Sequence, residues 1–251
     1  KTVGDKELLC VVKANGYGHG SVQIAKSIAN IKNVQFAVFS IDEALELRNA
    51  KIKNEILVFS KLQINNLELA YKQDIILNIS SFDDLEHIES FYLKNKVSPR
   101  YHLKFDTGMT RLGFDLDDVE AVYKSLSKPL HPYIEGIYTH FATADEGDLS
   151  YAEKQLNDFK MVIEKIESFG LKFKFIHCSN SGAVLNLEQS YFNMVRVGML
   201  LYGALPSDEV IDNIGIKPVM SFCGSIVNVR RAKKNTPISY GGVYKTASDT
   251  N

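Results

Sequence analysis

Leu8-Leu9-Cys10-Val11-Val12-Lys13-Ala14-Asn15-Gly16-Tyr17-Gly18-His19-Gly20 is the stretch on which the reading of this chain turns. Its first five residues form an apolar run of strand character. A lysine follows, and then glycine at every second position. A lysine ending a buried strand is costly unless it is paired or chemically engaged. Desolvation lowers a lysine pKa and frees its lone pair for Schiff-base chemistry, which is one such engagement. A strand followed by a glycine-rich turn with a snorkelling lysine is the other reading, and this stretch alone does not separate the two. The even spacing of Gly16, Gly18 and Gly20 departs from the Rossmann dinucleotide fingerprint.

Outward from this stretch, short apolar runs alternate with helical periodicity. Strands are expected at 8–12, 35–39, 55–59, 75–79, 100–105, 134–139, 172–177 and 192–197. Helical stretches fall near 22–31, 62–71, 117–126, 151–169 and 181–187. Two more open at Ser40-Ile41-Asp42-Glu43 and Ser81-Phe82-Asp83-Asp84, the first with the serine-to-glutamate spacing of a capping box. Eight strands, each followed by helix or loop, are the requirement of a (β/α)8 TIM-type barrel, an α/β fold, over residues 1–213. From about Ile214 the helical period stops. The segments Pro218 to Cys223, Ile226 to Val229 and Ser239 to Tyr244 read as strand material around a basic turn at Arg230 to Lys234. Residues 214–251 are therefore expected to begin a C-terminal all-β domain. So short a segment makes a poor independent β domain, and the sequence reads as part of a longer polypeptide.

Composition narrows the function classes. Hydrophobic residues make up 45% and charged residues 24%, which suits a globular core. A formal net charge of −1 gives no general attraction to nucleic acid or anionic membrane. Cys10, Cys178 and Cys223 lack zinc-type spacing and read as reduced thiols of a cytoplasmic protein, with no metal site expected. No apolar run approaches membrane-spanning length, and the first residues carry no signal-peptide pattern.

Barrel chemistry gathers at the C-terminal strand ends. Lys13, Arg111, His140, His177, Asn180, Ser181, Arg196 and Gly198 all fall at or just beyond such ends. Each alone has an ordinary structural reading as a cap, a surface arginine or a satisfied core histidine; their placement on one rim is what carries weight. Ser181 and Gly198 follow strands seven and eight, where barrels bind phosphate. A lysine and a phosphate site on one rim fit pyridoxal 5′-phosphate better than a sugar phosphate. Aldolases also place an imine-forming lysine in a barrel, so this step leaves both open.

Val12-Lys13-Ala14-Asn15-Gly16-Tyr17-Gly18-His19-Gly20 resembles the cofactor-lysine motif of the alanine racemases. Similar matches are Leu103-Lys104-Phe105-Asp106-Thr107-Gly108-Met109-Thr110-Arg111-Leu112-Gly113, Tyr138-Thr139-His140-Phe141-Ala142-Thr143-Ala144-Asp145-Glu146, His177-Cys178-Ser179-Asn180-Ser181, Asn193-Met194-Val195-Arg196-Val197-Gly198 and Ser239-Tyr240-Gly241. The resemblance implies an isomerase that interconverts L- and D-alanine with pyridoxal 5′-phosphate and supplies D-alanine for peptidoglycan. It implies a head-to-tail homodimer in which the partner subunit completes each active site. Lys13 would hold the cofactor and act as one base, and Tyr240 would be the opposite base. Tyr17, Ser181, Gly198 and Met199 would contact the phosphate. Arg196 would face the pyridine nitrogen, with His140 and His177 hydrogen-bonded around it and Asn180 in support. The Arg196–His140 network would supply cations that bias the tyrosine. Arg111 would orient cofactor and substrate carboxylate, and Lys104 matches a position carbamylated in some members. Gly16 stands where alanine is commoner, and the family's second phosphate tyrosine and its cysteine-methionine loop are absent from this sequence. A racemase of serine or broader specificity is an alternative. A non-catalytic cofactor carrier is another, disfavoured by Tyr240. A decarboxylase of similar architecture would place a carboxylate where Arg196 stands.

Overall fold

The computed structural model describes residues 3–210 and 214–251. It divides into two compact units between Val219 and Met220. The boundary expected at 213/214 abuts residues 211–213, and the expectation for the leading residues includes Lys1 and Thr2; both sets lie outside the described residues.

In the first unit the chain alternates strand and helix. The strands are β1 (Glu7–Val11), β2 (Val34–Val38), β3 (Ile56–Val58), β4 (Leu77–Ile79), β5 (Tyr101–Lys104), β6 (Ile134–Tyr138), β7 (Phe175–His177) and β8 (Met194–Val197). All eight run parallel in two ladders, β3-β2-β1-β8 and β4-β5-β6-β7. Two thin seams join the ladders. A bridge pairs Leu57 with Ile76 on one side, and Arg196 N–H donates to the Ser179 carbonyl at 2.9 Å on the other. The α/β, TIM-barrel expectation stands.

Side-chain alternation sorts the core into two layers. Leu9, Val11, Ala37, Leu57, Ile76, Phe175 and Met194 cluster inside the barrel. Their strand neighbours Cys10, Val12, Phe36, Val38, Ile56 and Leu103 pack outward against the helices. Because the strand period is two, the residues that continue the inward rows are Lys13 after Val11, Arg196 after Met194, and His177 after Phe175. The interior is apolar at one end and charged at the other, by phase alone.

The helices cover the outer face. Ser150–Ser168 buries Leu156, Phe159, Ile163 and Ile166, the face its periodicity marks. Ile41–Asn49 starts with a full capping box between Ser40 and Glu43, and the Ser81 hydroxyl accepts from Asp84 N–H. The helices expected at 62–71 and 117–126 each begin as a single 3-10 turn, tighter than the periodicity implied.

The second unit departs from expectation. Its regular structure among the described residues is a two-residue antiparallel pairing of Pro237–Ile238 with Tyr244–Lys245 and a bridge between Ala232 and Thr250. Residues 218–223 and 226–229 form no strand, and Tyr240–Gly242 is a 3-10 turn. A strand forms only where a neighbour takes up its N–H and C=O groups in a ladder; Val219 N–H donates once, to the Tyr202 carbonyl at 3.2 Å, and no ladder follows. Phe222 and Val227 are accordingly exposed.

Candidate active site

Immediately after β1 the backbone reverses hand. Ala14, Asn15, Gly16 and Tyr17 have φ of 52°, 51°, 61° and 54°, so Lys13–Tyr17 winds as a left-handed turn. Each non-glycine residue in this region costs about 1–2 kcal/mol; such strain persists only where surroundings enforce it. Gly16 N–H donates back to the Val12 carbonyl at 2.9 Å, and Asn15 Oδ1 accepts from Ser21 N–H at 3.1 Å. Glu43 Oε1 accepts from Ala14 N–H at 2.7 Å. Tyr202 braces the turn from the far end of the unit: its hydroxyl donates to the Val11 carbonyl at 3.0 Å, and its ring stacks on His19. The turn carries the chain away at once and leaves the Lys13 side chain at the mouth.

A cavity of about 410 Å³ opens there. Of the residues singled out in the sequence, Lys13, Tyr17, Lys104, Arg111, His140, Asn180, Ser181, Arg196, Gly198 and Met199 line it. His177 stands behind this wall, fully buried and bonded to Arg196. Tyr240 lies in the second unit and is fully exposed there. Sequence reading missed Tyr138, Phe39, Phe59 and Asp145, which also line the cavity, and His102, which supports it. Tyr138 and His102 were within reach of the period-two rule, since His102 is two residues before Lys104.

Arg196 is pinned from all sides. Its Nη1 donates to His177 Nδ1 at 2.9 Å and the His177 carbonyl at 3.0 Å. Its Nη2 donates to the carbonyls of Thr139 and Cys178 and to His140 Nδ1, at 2.7, 2.9 and 3.1 Å. Arginine only donates, so both histidines accept through Nδ1 and carry their proton on Nε2. His177 Nε2–H then donates to His102 Nδ1 at 3.0 Å. Burial, and after it the Arg196 charge, hold His140 and His177 well below the usual histidine range. Burial lowers Arg196 to about 10, far enough above neutrality for it to remain cationic. The expectation of a cationic Arg196–His140 network is thereby corrected: the histidine is neutral, and the charge is the arginine's alone.

Two lysines share the cavity. Burial, with Arg111 next, lowers Lys13, while Glu43 opposes the shift. Lys104 is brought down to about 8 by burial and then by Arg111 and Arg196; its Nζ lies 5.6 Å from the Tyr138 ring centroid, and the Arg196 guanidinium carbon lies 5.4 Å from the same ring. Four cationic side chains against one carboxylate, Asp145, suit an anionic ligand. Across from Lys13, Gly198 N–H donates to the Ser181 hydroxyl at 3.1 Å, which leaves the hydroxyl proton to point elsewhere. A Cβ on Gly198 would come within 2.8 Å of the Tyr17 hydroxyl; only glycine leaves that cradle open. Asn180 Oδ1 caps the helix Ser181–Asn186 by accepting from Ala183 N–H at 3.0 Å.

A parallel (β/α)8 barrel with a desolvated lysine and a pinned arginine around one cavity defines the class: a barrel protein whose cavity suits a small anionic ligand beside a partly buried amine. Comparison with known proteins narrows it. The alanine racemase N-terminal domain family matches residues 1–206. Alanine racemase of Desulforamulus reducens is 36% identical over all of this chain and 68% of its own length, and that of Halalkalibacterium halodurans 37% identical over 96% and 63%. Among solved structures, alanine racemase of Clostridium difficile 630 superposes with a TM-score of 0.86 at 32% identity, over 98% of this chain and 65% of that one. The chain thus spans about two thirds of the length of these relatives. It belongs to the alanine racemase family.

Proposed function

We propose that this chain works as an alanine racemase that uses pyridoxal 5′-phosphate, an isomerase exchanging L- and D-alanine through two bases. The observation that carries the reading is the meeting of Lys13, the Ser181–Gly198 cradle and Arg196 around one cavity. The residues present fit the cofactor. The cradle that a Cβ on Gly198 would fill suits a phosphate, with the Tyr17 and Ser181 hydroxyls and the backbone at Gly198 and Met199 as its contacts. Burial raises the Tyr17 pKa, so its hydroxyl stays a donor. All of the Arg196 bonds described above use Nη1 and Nη2, and its Nε–H has no protein acceptor among the described residues. That donor is free for the ring nitrogen of a pyridine.

When bound, the cofactor supplies an electron sink that makes the substrate α-proton acidic. The protein does the rest. Lys13 holds or returns a proton on one face; burial and Arg111 both enlarge its neutral, basic fraction. Arg196 donates only, so the atom it faces must accept and stay unprotonated. That moderates the electron sink and favours proton exchange over bond-breaking side reactions. Arg111, held by Asp106 Oδ2 accepting its backbone N–H at 3.0 Å, orients the substrate carboxylate. Tyr240 from the partner subunit of a homodimer works the opposite face, within an all-β domain that residues 214–251 begin. Lys104 stands ready for carbamylation, Asn180 and His177 hold the wall, and the product feeds cytoplasmic peptidoglycan synthesis. No helix of the described residues is long and apolar enough to cross a membrane.

The chain incubated with pyridoxal 5′-phosphate, reduced with borohydride and digested should carry its label on Lys13. L-alanine supplied to the loaded protein in deuterated buffer should lose its Cα proton. Label on another lysine, or full retention of the Cα proton, defeats the proposal.

A further inference from the structure

Glu43 belongs to the helix that follows β2, yet its carboxylate reaches the turn that follows β1. As a capping residue it has one ordinary partner, the backbone N–H of Ser40, which donates to Oε2 at 3.3 Å. The same oxygen accepts from Phe39 N–H at the shorter distance of 2.7 Å. The other oxygen leaves the helix and accepts from Ala14 N–H, also at 2.7 Å. One carboxylate therefore ties together the mouths of two adjacent strands. The residue it grips is the one after Lys13 and the first of five consecutive left-handed residues, Ala14 to Gly18. An alanine has no local reason to adopt that hand; a short charge-assisted bond to its N–H is an external reason.

We propose that Glu43 is a positioning residue for Lys13, its carboxylate clamping the left-handed turn behind the lysine and supplying the negative charge that faces the amine from that side. The inference rests on Lys13 being the cofactor amine. Across the cavity the lysine meets Arg111, Lys104, Arg196 and Asp145, with Tyr17, Tyr138 and His140 alongside. Against burial and Arg111, Glu43 favours the protonated amine. The clamp and the charge thus act together: the turn fixes where the amine stands, and the carboxylate limits how readily it loses its proton.

The test uses the whole chain and pyridoxal 5′-phosphate, with the rate of borohydride-trapped labelling at Lys13 followed against pH. In Glu43→Gln, which keeps one acceptor and loses the charge, the midpoint of that profile should move down by about half to one pH unit. In Ser40→Ala, which removes the helix cap and leaves the carboxylate, the midpoint should stay in place. Glu43→Asp keeps the charge on a shorter arm that cannot hold the Ala14 N–H together with those of Phe39 and Ser40. Its midpoint should match the parent while its labelling rate falls several-fold. A Glu43→Gln profile that superimposes on the parent, or an equal displacement in Ser40→Ala, overturns the inference and leaves Glu43 a helix cap. If Glu43→Gln does not fold, Glu43→Asp decides: a parental labelling rate overturns it. A parent chain that traps no label at Lys13 overturns the proposed function instead.

Discussion

Lys104 shows how far a single residue can set the pH response of the fold. It is 5% exposed and has no carboxylate bonded to it among the described residues. Its pKa falls from 10.5 to about 8, with burial the first cause. Below pH 8 the side chain is protonated in both states, and folding bears the desolvation penalty. Above pH 8 the folded chain sheds the proton that the unfolded chain still binds, so stability rises with pH until the unfolded pKa near 10.5, by roughly 1 kcal/mol per unit. Cys10 and Cys178, raised by burial to about 12, work the other way from about pH 9, and Tyr138, held above its ordinary pKa by burial, does so above pH 10. A comparison with Lys104→Met, which keeps all three groups, over pH 8 to 9.5 isolates the lysine. Urea unfolding over that window should show the parent gaining about 1–2 kcal/mol relative to Lys104→Met; parallel curves would refute the assignment. Gly16 is a second case. Its φ of +61° and a Cβ position 3.2 Å from Ser21 N make alanine a poor guest here. Gly16→Ala should cost about 1 kcal/mol or more, read as a lower Tm.

Among the elements, helix starts are the features that local sequence settles. Ser40 and Ser81 cap as their spacing announces, since an N-cap needs only a hydroxyl and the next turn's N–H groups. Asn180 does the same for the short helix whose first residue, Ser181, lines the cavity. Asn180→Ala should lower stability by about 1 kcal/mol and slow cofactor loading, measured by thermal melts and by the labelling rate at Lys13. Unchanged loading would separate the cap from the cradle. The left-handed turn at Lys13–Tyr17 is an element of another kind. Its glycines announce a tight turn, but the hand of Ala14 and Asn15 depends on Glu43 and Ser21, which no local rule connects to them.

At the scale of the whole molecule, the two units differ in how they are held. The first has a double-layered core and a closed ring of parallel strands. The second pairs a few residues and leaves Phe222, Val227, Tyr240 and Val243 exposed. Trypsin should therefore cut first in the basic turn at Arg230, Arg231, Lys233 and Lys234 and leave a fragment that includes the barrel, as mass spectrometry of a time course would show. Early cleavage inside the barrel would contradict this. From sequence alone came the count of strands, the phase of their side chains and thus which residues face the mouth: periodicity is local, and a barrel makes that phase a place. Tertiary structure decided the rest. Strand pairing at the seams, the hand of the turn after Lys13, the neutral state of His140 and the lack of strands at 218–229 each depend on groups far away in the chain. Hydrogen bonds and desolvation act through space, and a backbone N–H or an imidazole takes its state from whatever the fold sets beside it.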